Sequence, residues 1–123
     1  MWMIVKFLNL AIKEAQKSTY KQRMGAIIFK GNSIISKGYN DPLRSVRSVS
    51  KRFLRWENTI HAEVMALLNA RCPLKGTSIL VVRINNFNEL RLAKPCSYCQ
   101  AYLSFVGIRN CYYSTNNGMI DKL

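Results

Sequence analysis

Apolar and polar positions along this chain follow two periods, and the switches between them mark out its elements. Over residues 3–17, Ile4, Phe7, Leu8, Ala11 and Ala15 share one face and Lys6, Lys13 and Lys17 another, which predicts an amphipathic helix. Gly25 then opens a β-branched run, Ala26-Ile27-Ile28-Phe29. Lys30-Gly31-Asn32-Ser33 supplies turn chemistry before a second strand, Ile34 to Tyr39, so the pair reads as a hairpin.

Between Asp41 and Asn58 the period returns to three and four. Val46, Val49, Phe53 and Trp56 form an apolar stripe, and Arg44, Arg47, Lys51, Arg52 and Arg55 fill the turns between, which predicts a basic amphipathic helix. A helix from His61 to Ala70 follows, with Val64, Met65 and Leu68 as its stripe. Ser78 to Val82 is almost wholly apolar, as a strand covered on both faces must be. A loop around Asn85 to Asn88 leads to Pro95, and a helix is predicted from Cys96 to Val106. Cys111 to Ser114 reads as a fourth strand. Asn117-Gly118 is a tight-turn pair, so Met119 to Lys122 is expected to return as a short antiparallel fifth strand. Helices alternating with strands make this an α/β chain.

At 123 residues the chain fits a single domain, 1–123, with a real core. No apolar run reaches membrane-spanning length. The apolar start, Met1 to Leu10, is broken by Lys6 and followed by no cleavage-type small residues, so it reads as a packing helix rather than an export signal. Without that signal, the four cysteines point to thiols in a reducing, cytoplasmic setting more than to disulfides. With 19 Lys and Arg against 6 acids the formal charge is +13, a balance that favours polyanionic partners and says nothing of fold.

The chemistry lies in two short segments. Cys96 and Cys99 sit three apart just after Pro95, a residue suited to a helix start, and so point to one side of the first turn. The positive end of that helix lowers thiol pKa values toward the thiolates that zinc takes. His61 supplies a third ligand, and two thiolates with a neutral imidazole suit Zn²⁺. Three protein ligands leave a position for water, as in catalytic rather than structural zinc sites. Neither remaining cysteine is expected to close the site. Cys72 lies 11 residues past His61, about 16 Å along a helix, and Cys111 sits mid-strand among core residues. Both are expected to be buried thiols. Glu63, two residues beyond His61, is placed to move protons between water and substrate.

His61-Ala62-Glu63 with Pro95-Cys96-Ser97-Tyr98-Cys99 matches the H-x-E and P-C-x-x-C pattern of zinc nucleobase deaminases. The chain resembles the cytidine/deoxycytidylate deaminase superfamily over nearly its whole length. Gly25-Ala26-Ile27-Ile28 and Gly38-Tyr39-Asn40 are similar to that family's first hairpin. The resemblance implies a three-layer α/β/α sandwich around a mixed sheet of four to five strands. It also implies that Asn40 bonds the nucleoside and that the Ala62 backbone holds the base edge. An assembly of several copies is a further expectation, since the family often builds its pocket across subunits.

Histidine in H-x-E is closer to the deoxycytidylate, tRNA-adenosine and polynucleotide-cytidine branches, whereas a hairpin at Asn117-Gly118 is closer to the free-cytidine branch. In the His-type branches a fourth helix usually makes the fifth strand parallel, and the sequence ends at Leu123 without one. The expected reaction is hydrolytic attack at C4 of cytosine, with loss of ammonia, in a deoxycytidine nucleotide or a single-stranded nucleic acid. The cations Arg44, Arg47, Lys51, Arg52 and Arg55 would track a strand's phosphates. Adenosine-to-inosine deamination is the alternative within the class, and a catalytically silent zinc module that binds nucleic acid is the alternative outside it.

Overall fold

Small residues decide how closely the helices of this protein approach its sheet. The computed structural model describes residues 2–19, 22–40, 62–70, 72–95 and 97–123, with the side chains at 2–5, 64, 68 and 98 excepted. Helix α1 covers Trp2–Gln16 and is followed by strands β1 (Arg23–Lys30) and β2 (Ser33–Tyr39). Then come α2 (Ala62–Asn69), β3 (Ser78–Ile84), β4 (Leu90–Arg91), α3 (Ser97–Val106), β5 (Asn110–Ser114) and β6 (Ile120–Lys122). The strands form one sheet in the order β2-β1-β3-β5-β6, with β4 paired to β3 beyond the end of β5. Only β3 and β5 run parallel among these pairs, so the sheet is mixed, as expected.

Alternation along the central strands separates two cores. Ile27, Phe29, Leu80, Val82 and Ile84 pack with Phe7, Ala11 and Ala15 of α1. Ala26, Ile28, Ile79, Val81 and Cys111 face the other way, against Ala62, Ala66 and Leu67 of α2 and Leu103 of α3. The result is the three-layer α/β/α sandwich. On the α1 side, Phe7 and Phe29 meet with ring centroids 4.4 Å apart, and Tyr112 stacks on Phe29 at 6.3 Å. The predicted lysine face of α1 is exposed, and Lys17 reaches back to the buried Glu14 at 2.7 Å.

Two glycines set the spacing of these layers. A Cβ on Gly25 would collide with the Ala11 carbonyl and the Ala15 nitrogen of α1. A Cβ on Gly38 would fall 2.8 Å from the Ala62 carbonyl oxygen and nearer still to the Ala66 nitrogen. Each helix therefore lies backbone-close to the sheet, on opposite faces. Ser36 adds a tie to α2 by donating from Oγ to the Ala66 carbonyl at 2.7 Å.

Among the described residues the predicted elements form where the pattern placed them, with differences that have local causes. β4 was not expected, because two residues carry no period. The loop before it is closed instead by Asn85, whose Oδ1 accepts from the backbone N–H of Phe87 and Glu89 at 2.9 and 3.0 Å. The last hairpin forms antiparallel as expected but turns through a wider loop. Thr115 N–H donates to the Met119 carbonyl at 2.9 Å, and Gly118 takes a φ of 76°. The basic helix expected over Asp41–Asn58 lies outside the described residues. Among the described residues, no helix is long and apolar enough to cross a membrane.

Candidate active site

Topology brings two helix starts to one end of the sheet. β3 and β5 are parallel, α2 leads into β3 and α3 into β5, so both helices run back along the strands. Their first turns therefore stand at the carboxyl ends of β3 and β5, and α2 packs on α3. This is the end at which open α/β sheets build their sites.

Each first turn delivers a buried reactive side chain. Glu63 is 2% exposed and is the one acid in the first turn of α2; Cys99 is 1% exposed in the first turn of α3. A carboxyl group removed from water so completely is costly to ionise unless its surroundings compensate. The positive end of α2 acts in that direction. The Cys99 thiol likewise stands at the positive end of a helix, α3. His61 and Cys96 are the residues immediately before Ala62 and Ser97, and both lie outside the described residues. Accordingly, no group of three potential metal-holding side chains is complete among the described residues. What is described fits zinc in kind: a buried sulfur donor and a buried carboxyl, on adjacent helix starts, away from bulk water.

Ala62 is fully buried and opens α2, so its N–H belongs to the first turn, where helical donors lack partners within the helix. Asn40 follows the end of β2 and is 4% exposed. Its Oδ1 accepts from Met24 N–H at 2.8 Å, and its Nδ2 donates to the Gln22 carbonyl. Ser18 Oγ donates to its carbonyl at 2.8 Å. The amide is thus held rigidly at the rim by backbone. Arg44, Arg47, Lys51, Arg52 and Arg55 lie outside the described residues.

Sequence reasoning treated both spare cysteines as buried. Cys111 is, at 7% exposure, but Cys72 is exposed, because α2 ends at Asn69 and does not carry it. The sequence also gave no sign that Cys111 lies within electrostatic reach of Glu63. Burial pushes its thiol up to about 12, and the Glu63 charge adds to the rise. It stays a neutral thiol near neutral pH. Two arginines went unremarked as well. Arg83 and Arg91 stand directly opposite each other on β3 and β4, at the end of the sheet that carries the helix starts. Their signal in sequence was weak: one cation near the end of an apolar strand, another ending a segment too short to read.

Comparison with known proteins agrees with this geometry. A family model described as the cytidine and deoxycytidylate deaminase zinc-binding region matches residues 2–115. A protein of Aliivibrio fischeri named "Uncharacterized deaminase in luxG 3'region" is 31% identical over 93 residues, 73% of this chain; the match spans 56% of that protein's length. Among solved structures, the dCMP deaminase of cyanophage S-TIM5 in its apo form superposes with a TM-score of 0.61 at 18% identity, over 93% of this chain and 87% of that one. The same enzyme solved with dCMP and dUMP gives 0.59 at 18% identity, over 88% and 80% of the two chains. A diaminohydroxyphosphoribosylaminopyrimidine deaminase/reductase of Thermotoga maritima gives 0.58 at 21% identity, covering 90% of this chain and 29% of that one.

Proposed function

The chain belongs to the cytidine and deoxycytidylate deaminase family, and from that premise we propose that it hydrolyses the exocyclic amine of cytosine in a deoxycytidine nucleotide, releasing ammonia. The observation that carries this reading is the burial of Glu63 and Cys99 in the first turns of two neighbouring helices at one end of the sheet. In this reading His61, Cys96 and Cys99 hold zinc, which when bound supplies a Lewis acid and lowers the pKa of water toward neutrality. Glu63 does the proton work. Its carboxylate takes a proton from the attacking water and delivers it to the ring nitrogen N3 as the C4–O bond forms. It then moves the second proton to the amine, which leaves as ammonia when the C4–N bond breaks. The Ala62 backbone holds the base edge, and the Asn40 amide serves the sugar. Burial of Glu63 keeps bulk water from competing in these transfers.

A mononucleotide is preferred over a polynucleotide because the fold is shared with an enzyme solved together with dCMP and dUMP. The test is ammonia release by the zinc-loaded protein from dCMP, cytidine, single-stranded DNA and tRNA. Release from dCMP is expected. Release from tRNA alone, with inosine as product, would move the reading to adenine, and release from none would leave a silent zinc module.

A further inference from the structure

Rows of side chains can be followed across the sheet from its register. Gly38, Ala26, Val81 and Tyr113 form one row, on the face that carries α2 and α3. The Gly38 contacts put that row directly beneath Ala62 and Ala66. Two residues further along the strands, on the same face, comes a second row. Asn40 bonds Met24, Met24 pairs with Arg83, and Arg83 pairs with Arg91. This second row lies roughly 6.7 Å beyond the first, outside the opening turn of α2. It runs along the mouth of the candidate site.

Directly opposed residues of an antiparallel pair carry their side chains on one face about 5 Å apart. Two guanidinium groups so placed repel, and among the described residues little relieves this. Arg83 Nη1 approaches the Leu92 carbonyl at 3.5 Å, and Arg91 Nη1 donates to its neighbour's carbonyl at Leu90, at 3.2 Å. Glu89 stands 3.6 Å from Arg91, but its side chain is 59% exposed, so that contact is loose and screened by solvent. The backbone beneath is fixed by Ser114, whose Oγ accepts from Arg83 N–H at 3.1 Å and donates to the Arg91 carbonyl at 2.6 Å. A rigid base under two half-exposed forks suits a doubly charged anion with several acceptor oxygens.

We propose that Arg83 and Arg91 form a phosphate-binding pair that reads the 5′-phosphate of a mononucleotide whose base lies over the first turn of α2. This rests on the proposed deaminase reading and specifies its substrate class: nucleoside monophosphates in preference to nucleosides. Ser114 is a positioning residue that keeps the two arginines in register.

The test compares the zinc-loaded protein with Arg83→Gln and Arg91→Gln, assaying dCMP and deoxycytidine in parallel, with inorganic phosphate as a competitor. Loss of one charge-assisted contact should lower kcat/KM for dCMP by roughly ten- to hundredfold, mainly through KM. Deoxycytidine turnover should fall far less, and phosphate should compete with dCMP only in the parent protein. Arg83→Lys and Arg91→Lys, which keep charge but lose the fork, should fall between. Equal losses on both substrates, or an unchanged dCMP-to-deoxycytidine ratio in folded variants, would overturn the pair. So would a loss confined to a single-stranded oligonucleotide. If the parent protein releases ammonia from no substrate, the deaminase reading fails on its own. Direct titration with inorganic phosphate then decides the pair: binding that both Gln variants lose supports it, and binding that they retain overturns it.

Discussion

The two faces of the sheet are built from the same strands and serve different ends. On the α1 face, Phe7, Phe29, Leu80, Val82 and Ile84 interlock as large apolar side chains. On the α2/α3 face the core mixes Ala26, Ala62, Ala66 and Ala93 with Ile28, Leu67, Ile79, Val81 and Leu103, and Glu63, Cys99 and Cys111 are buried on the same side. Small residues let α2 lie against the sheet as closely as α1 does, and the Gly38 contact fixes its first turn. One face packs around a pair of aromatic rings. The other holds ionisable groups in fixed places within a dry surround. Stability and chemistry are thus separable by face, which mutation can test.

The largest effect on stability is expected on the α1 face. Leu80→Ala should destabilise the fold by about 2–5 kcal/mol, as truncation of a fully buried leucine does, while kcat of the folded fraction stays near the parent value. Denaturant unfolding with activity measured well below the midpoint checks both halves. Next come the two glycines. Gly25→Ala and Gly38→Ala each force a methyl against helix backbone and should each cost about 1–3 kcal/mol. Only Gly38→Ala should also depress kcat, because only α2 carries Glu63. Equal kcat losses from the two would break the separation.

A smaller effect depends on pH. The Cys111 thiol is raised from 9.0 to about 12, so the folded protein holds this proton after the unfolded chain has lost it. Its contribution to stability is present in full below pH 9 and is lost as pH rises from 9 toward 12. Burial also raises Tyr102 from 10.0, which acts in the same direction, so the comparison must be with Cys111→Ala. That variant should lose stability less steeply than the parent over this window. Parallel curves would show that Cys111 titrates normally.

Most of the fold was legible in sequence because its elements are amphipathic or wholly apolar over five residues or more. Phe7, Ala11 and Ala15 announce the α1 stripe, and Ile79 to Val82 announce a strand covered on both sides. The first hairpin was legible from Gly31, which takes a φ of 59°. What escaped was set by tertiary context. β4 exists because Asn85 folds its own loop, and Cys72 is exposed because α2 stops at Asn69. The Arg83–Arg91 pairing needs a register that no local pattern encodes. At the site, the spacing of His61, Glu63, Cys96 and Cys99 pointed to a chemistry in sequence, and the structure adds the burial of Glu63 and Cys99 in first turns at one end of the sheet. The close approach of Gly38 to α2 required coordinates, since a glycine in a strand has several meanings.

The central claim is that Glu63 moves protons for a hydrolytic deamination in a zinc-loaded site. The most direct measurement is the rate of ammonia release from saturating dCMP by the parent protein and by Glu63→Gln, with zinc content and unfolding midpoint determined on the same samples. The substitution keeps shape and removes the proton carrier. The account predicts equal zinc, a similar midpoint and a kcat lowered by about 10²–10⁴-fold. A Glu63→Gln protein that keeps more than a tenth of the parent kcat at equal zinc would contradict it.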